Sequence, residues 1–460
     1  MKKEIRLNTI VELFTKAVNF LMTVIISRIF GPEALGIIST SQAITGYITL
    51  VGDFGTNNEA IRRISKSERD VSEVFSIIFY WRLILASFLI IGIVYYYVIF
   101  GSLDKILLFY ILISLIGFFI PSYIFIGLTK YKYNAIINFL ITIISLSLFL
   151  LLLSFKHSII FYPVSLMTST FIGMIISLVF YFKIARMQFV SRSKLFNFIK
   201  KSFYLGLTII FARIYYDFDI ILLGFLTSKI QLGLYSSAFK LIQMLWFIPT
   251  LYTTYALPYT TRMIQSNINN IPNYIIKVIN NISLFILPIC TLGYFYSGDI
   301  LSMFFGNEFD KGGPILTILI FSFYLMFCKT VFGNLLIALR KEKFLFKVSI
   351  VGSFINICLN LLLIPVIGIL GSALTTLITE VILFIIEYIT IKRSFKVRII
   401  SLNITKIFIG ITLMFLFLLF IKVGVFLGII LGCTFYLVIL LILKEDCIKQ
   451  YKDKIYTGVK

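Results

Sequence analysis

Nine lysine and arginine side chains lie inside otherwise apolar stretches of this chain: Lys16, Arg28, Arg82, Arg213, Lys240, Lys277, Lys329, Lys347 and Lys406. An ionisable group is costly in such surroundings, so it marks either a ligand path or a paired charge. Guanidinium and ammonium groups meet phosphate oxygens through charge-assisted hydrogen bonds, which suits them to holding a diphosphate. Lys277, Lys347 and Lys406 fall within a turn or two of a loop and can extend their ammonium groups into it. Lys16, Arg28, Arg82, Arg213, Lys240 and Lys329 remain as candidate binding residues, although Arg28 also suits an interfacial anchor.

Carboxylates share the same stretches. Asp217 follows Arg213 by four residues, the spacing that puts both on one helix face. Asp219 projects about 200° further round, which leaves it the freer group. Glu12 and Lys16 repeat the four-residue spacing, and Asp53, Glu380 and Glu387 lie in other apolar stretches. Glu12, Asp53, Asp217, Asp219 and Glu380 are therefore candidates for carrying a coupling proton or sodium ion, or for neutralising the basic groups. Their spacing does not choose between the two.

The elements that carry these residues are membrane helices. The chain of 460 residues is 60% hydrophobic and 13% charged, too little polar surface for a soluble protein of this size. Tracts of about 20 apolar residues, the length that crosses a bilayer, occur near 7–30, 36–57, 74–100, 105–129, 133–155 and 158–182. Further tracts occur near 203–226, 232–261, 272–297, 313–338, 344–366, 368–391, 404–421 and 424–443. Of the 42 Lys and Arg residues, 28 fall in every second gap and at the termini, and five in the other gaps. The five are Lys105, Lys156, Lys229, Lys311 and Lys422. Such alternation is the positive-inside pattern, and it puts both termini in the cytoplasm.

The sequence thus predicts an all-α polytopic membrane protein of about 14 helices. A basic linker over 184–202 divides a six-helix lobe, 1–183, from a second, 203–393, and two further helices and a cytoplasmic tail occupy 394–460. Both lobes enter the membrane in the same direction, as parallel repeats do. Leu35-Gly36 corresponds to Leu232-Gly233, and Lys130-Tyr131-Lys132-Tyr133 to Lys341-Glu342-Lys343-Phe344. Pro121, Pro249, Pro258 and Pro288 interrupt helices and supply bends. Asn356 and Asn360 suit a hydrogen bond between helices.

Other classes are excluded. The net charge of +22 is scattered among short loops, with no soluble basic face for nucleic acid. The five cysteines show no CxxC spacing and the one histidine, His157, is isolated, so no metal site is expected. The longest outer loop, near 297–312, has Asp299, Glu308 and Asp310 without a histidine, a poor acid–base set. The first apolar tract lacks a small-residue cleavage site and reads as a retained helix.

Several stretches resemble the polysaccharide flippase family of the multidrug/oligosaccharidyl-lipid/polysaccharide exporter superfamily. They are Arg28-Ile29-Phe30-Gly31-Pro32-Glu33-Ala34-Leu35-Gly36, Gly52-Asp53-Phe54-Gly55 with Arg62-Arg63-Ile64-Ser65, and Gly233-Leu234-Tyr235-Ser236-Ser237-Ala238-Phe239-Lys240. The run Leu336-Ile337-Ala338-Leu339-Arg340-Lys341-Glu342-Lys343 continues the likeness through Asn356, Asn360 to Pro365 and Gly368 to Ala373. The resemblance covers residues 1 to about 393. It implies a two-lobed transporter in the bacterial inner membrane that moves undecaprenyl-diphosphate-linked oligosaccharides to the outer leaflet. It further implies alternating access through a central cavity, for O-antigen or capsule assembly beside membrane lipids and other polysaccharide-assembly proteins. No cofactor is expected beyond coupling to a proton or sodium gradient. A drug/cation antiporter of the same superfamily is the alternative, and its cavity should be acidic. Flippases of lipid-linked peptidoglycan precursors are a more distant one, because the sequence lacks a pattern particular to them.

Overall fold

The computed structural model describes residues 2–102, 104–395, 402–421 and 423–443. Lys396, Arg398, Lys422, Cys447 and the tail residues Lys444, Lys449, Lys452, Lys454 and Lys460 lie outside them. The described residues form α-helices joined by short turns. Apolar segments cannot satisfy their backbone with solvent in a bilayer and do so internally as helices. Eleven of the described helical segments are long and apolar enough to cross a membrane.

The first eight helices are α1 (Lys2–Asp53), α2 (Thr56–Ile64), α3 (Val71–Phe100), α4 (Lys105–Phe118), α5 (Ser122–Gly127), α6 (Tyr131–Phe155), α7 (Phe161–Phe182) and α8 (Arg192–Leu226). The membrane-length part of α1 spans 48 residues, about 72 Å of helix at 1.5 Å per residue and more than twice a bilayer core. It contains a kink at Gly31 (φ 74°, ψ −172°), a conformation open essentially to glycine alone.

Side-chain pairs show that the chain reverses there. Before Gly31, Asn134 bonds Asn8 and Thr15 meets Thr142, so this part runs parallel to α6. After it, Gln42 bonds Tyr110 and Thr49 bonds Ser114, so the second part runs parallel to α4. Helices α6 and α7 are antiparallel, with Phe149 against Tyr162 and Tyr133 against Phe180. Helix α8 runs antiparallel to the second part of α1, with Gly206 against Phe54 and Gly224 against Thr40.

The tracts expected at 36–57 and 105–129 are both broken. Helix α1 stops at Asp53 and resumes as α2 after Phe54 (φ 40°) and Gly55 (φ 74°). Helix α4 stops at Phe118 and resumes as α5 after Pro121, which cannot donate to a continuing helix. At the same end, the 183–191 connection folds back onto α3: the Arg186 and Gln188 amides donate to Ser72 and Ser76. Helix α2 with Arg62 and Arg63, and the loops carrying Lys66, Lys183 and Arg186, thus gather at one end of these helices, around a core of Ile64, Phe75, Tyr123, Tyr181 and Phe198.

The remaining helices are α9 (Lys229–Leu245), α10 (Phe247–Ser266), α11 (Ile271–Phe305), α12 (Gly313–Ala338), α13 (Glu342–Ile367), α14 (Ile369–Phe395), α15 (Leu402–Phe420) and α16 (Val425–Ile442). The tract expected at 232–261 is divided at Trp246, where Pro249 withholds the amide that would bond the Leu245 carbonyl. Helices α12 and α14 run parallel, with Lys329 against Glu380 and, further along both, Phe332 against Phe384. Helices α15 and α16 pack on α11 through Tyr296, Met414 and Tyr436, whose hydroxyl donates to the Leu284 carbonyl.

Backbone packing groups the chain into two compact units, Met1–Phe225 and Leu226–Lys460. The division falls one helix later than the linker expected at 184–202, because the first part of that linker is tied to α3 and its second part opens α8.

Candidate functional site

The intrahelical charges fall into three paired nodes and a more open set. In the first unit, Arg82 of α3 is 5% exposed and sits where α1 and α4 are both interrupted. Its Nη1 donates to the Phe118 carbonyl, and its Nη2 donates to Asn57 Oδ1 at 2.7 Å. Asp53 Oδ1 lies 3.8 Å from Nη2, and the guanidinium stands 5.5 Å from the Tyr123 ring centroid. Asp53 is held by its own break, accepting from the Asn57 amide at 2.8 Å and the Thr56 hydroxyl at 3.2 Å. A broken helix frees backbone donors and acceptors, and this node satisfies some of them.

The second node is on α8. Arg213 Nε pairs with Asp217 Oδ2, as the four-residue spacing predicted. The Arg213 side chain is 43% exposed, whereas Asp217 is buried. Tyr47 of α1 donates to the Arg213 carbonyl at 3.3 Å. Gly46 admits the guanidinium against α1, since a Cβ there would lie 3.0 Å from Nη2. Asp219, expected to be the freer carboxylate, is instead buried and accepts from the Ile220 amide at 2.8 Å. Its outward projection from Asp217 on a helical wheel turns it into packing, not into solvent.

The third node is in the second unit. Lys329 of α12 pairs with Glu380 of α14, Nζ to Oε2 at 2.8 Å, with both side chains largely withdrawn from solvent. About two helical turns beyond Glu380, Glu387 is 5% exposed, packs by Gly333, and its Oε2 has no hydrogen-bond partner. Gly333 likewise lies beyond Lys329, so the two contacts advance in the same direction, as parallel helices require.

Lys16 and Arg28 of α1 are exposed and Lys240 of α9 is half-buried. Glu12 does not join Lys16 in an ion pair; it accepts from Asn8 Nδ2 at 2.7 Å. Lys277 and Lys347 are exposed, as side chains reaching past a helix end should be, and Lys406 is half-buried. Asn356 and Asn360 bond each other within α13 at 3.0 Å, not across helices, because the four-residue spacing brings them together first. Sequence reasoning missed Asn57, Tyr123 and Tyr47. Asn57 carries a faint signal, being four residues after Asp53; the tyrosines carry none, since many aromatics here are interchangeable by position.

Helices of this number and order, with reversal at Gly31 and charged nodes inside apolar segments, define a polytopic α-helical membrane protein. Its fold is shared by the lipid II flippase MurJ in an inward closed conformation, at TM-score 0.72 and 17% identity over 96% of this chain and 99% of that one. It is shared also by an inward-facing multidrug resistance MATE family transporter, at TM-score 0.61 and 14% identity over 82% and 95% of the two chains. The chain belongs to the polysaccharide biosynthesis protein family, which it matches over residues 1–264. The probable low-salt glycan biosynthesis flippase Agl15 of Haloferax volcanii is 22% identical over 80% of this chain and 78% of its own. The capsular polysaccharide biosynthesis protein CapF of Staphylococcus aureus is 33% identical over 104 residues, 23% of this chain. That match spans about a quarter, 26%, of CapF.

Proposed function

We propose that this protein is a flippase for lipid-linked glycans, not an enzyme. It moves undecaprenyl-diphosphate-linked oligosaccharide units from the cytoplasmic to the outer leaflet of the bacterial inner membrane, for capsule or O-antigen assembly, by alternating access. Both termini are cytoplasmic in this reading, and the two six-helix repeats are parallel. Membership of the polysaccharide biosynthesis family and the fold shared with MurJ support the substrate class.

The observation that carries the reading is which charges the helices present. Lys16, Arg28 and Arg213 are exposed, whereas Asp217, Asp219, Glu380 and Glu387 are buried. Among these charged candidates the exposed groups are thus mainly cationic, with Glu12 exposed and Asp53 half-buried, and Glu33 of α1 adds one further exposed carboxylate. A diphosphate is met by such groups with charge-assisted hydrogen bonds. An organic cation would be repelled by them, which disfavours the antiporter reading. Lys16, Arg28 and Arg213 of the first unit carry the headgroup role here, and half-buried Lys240 is the candidate of the second unit; Arg82 and Lys329 are committed to buried partners.

Deletion of the gene in its host tests the proposal. Surface polysaccharide should be lost while lipid-linked repeat units accumulate in the inner leaflet. Unchanged surface glycan would sink it.

A further inference from the structure

The guanidinium of Arg82 touches a residue on each side of each helix break in the first unit. Asp53 and Asn57 flank the break between α1 and α2; Phe118 and Tyr123 flank the break between α4 and α5. The second part of α1 runs beside α4, with Gly52 beneath the Phe118 ring, so both breaks lie at one level. Beyond them, α2 and α5 pack on each other. Ser65 Oγ donates to the Gly127 carbonyl at 3.2 Å, and Gly127 lets Ile64 approach.

A break at membrane depth frees backbone groups that lipid cannot satisfy. Asp53 takes the Asn57 amide in the first turn of α2, and Arg82 takes the last carbonyl of α4. Its planar fork can reach several partners at once; a lysine ammonium, as a compact point charge, cannot span them. Arg82 comes from α3, whose near end shares the core of Ile64, Val74, Phe75 and Tyr123.

We propose that Arg82 is a positioning residue that pins both breaks to α3, so that α2, α5 and the near half of α3 move as one body during transport. On this view it is not a ligand of the diphosphate. The proposal rests on the flippase reading for its role in transport, but the clamp itself is tested without transport.

Backbone hydrogen exchange of the full-length chain in detergent micelles is the test. R82Q and R82K should both speed exchange over 54–64 and over 119–127 by about ten-fold, with 313–338 unchanged. N57A, which removes one contact of the node, should speed 54–64 alone. R82K protected like the parent, R82Q affecting one break or neither, or N57A leaving 54–64 unchanged each overturns the clamp. If R82Q does not accumulate, R82K and N57A decide by the same criteria.

In proteoliposomes supplied with an undecaprenyl-diphosphate-linked disaccharide, R82K should lower the maximal rate. The half-saturating concentration should stay within about two-fold of the parent. A raised half-saturating concentration at unchanged maximal rate would mark Arg82 as a headgroup ligand and overturn the assignment. Failure of the parent itself to flip this lipid would count against the flippase reading, and the exchange results would still stand or fall alone.

Discussion

Lys329→Met should be among the most destabilising single changes in the second unit. At 2.8 Å and an effective dielectric near 20, the Lys329–Glu380 attraction is about 6 kcal/mol before desolvation is subtracted. Removing one partner leaves the other charge buried, which costs about 3–5 kcal/mol in comparable pairs. Here the penalty is compounded because Glu387, also buried, lies close by on the same helix. Neutralising both partners is a different perturbation: K329M/E380Q should regain most of the loss, since a buried pair replaced by neutral groups of like volume is often tolerated. Reversible unfolding in mixed micelles, with parent, both single variants and the double variant, gives the coupling energy directly. K329M within about 1 kcal/mol of the parent, or a double variant as unstable as K329M, would refute the reasoning.

Lys16 should behave oppositely, because it is exposed and outside any buried pair. K16A should therefore keep parental stability in the same unfolding assay, whereas R213A should lose some by stripping the ion-pair partner from buried Asp217; both should reduce glycan export in cells, and full export by both would remove the cationic headgroup site. Gly371→Ala should cost about 1–3 kcal/mol by overpacking, since its Cβ would stand 2.6 Å from the Leu363 carbonyl oxygen, and a melting temperature equal to the parent's would contradict that. Gly55→Ala should cost roughly 1–2 kcal/mol because Gly55 holds φ 74°, and unfolding titration reads it. Single cysteines at Lys66 or Lys194 should be labelled by an impermeant thiol reagent only from the cytoplasmic side, and at Lys156 or Lys311 only from outside. The reverse pattern would overturn the orientation.

Much of the architecture was legible because the bilayer permits so little. Tract length, apolarity and alternating basic loops specify helices and their number, since a spanning segment must satisfy its backbone internally. The Arg213–Asp217 pair was legible for a similarly local reason: four residues on a helix is one turn. Local spacing failed at Glu12 and Lys16, where Asn8, one turn earlier on the same face, takes the carboxylate. Long-range partners were not legible at all. Nothing in the spacing of Lys329 names Glu380, 51 positions on, and nothing near Arg82 names Phe118 or Asn57.

The sequence by itself determined the class of protein, the helical segments, the alternation of basic loops between them, the family resemblance and which charges had to be accounted for. These follow from composition and period, which act over one or two helical turns. The tertiary structure alone decided that two helices break at one level, that the guanidinium of Arg82 closes both breaks, and that most intrahelical carboxylates are buried while several cations are not. Those outcomes depend on which helices become neighbours, and neighbourhood is set by packing between segments far apart in the chain.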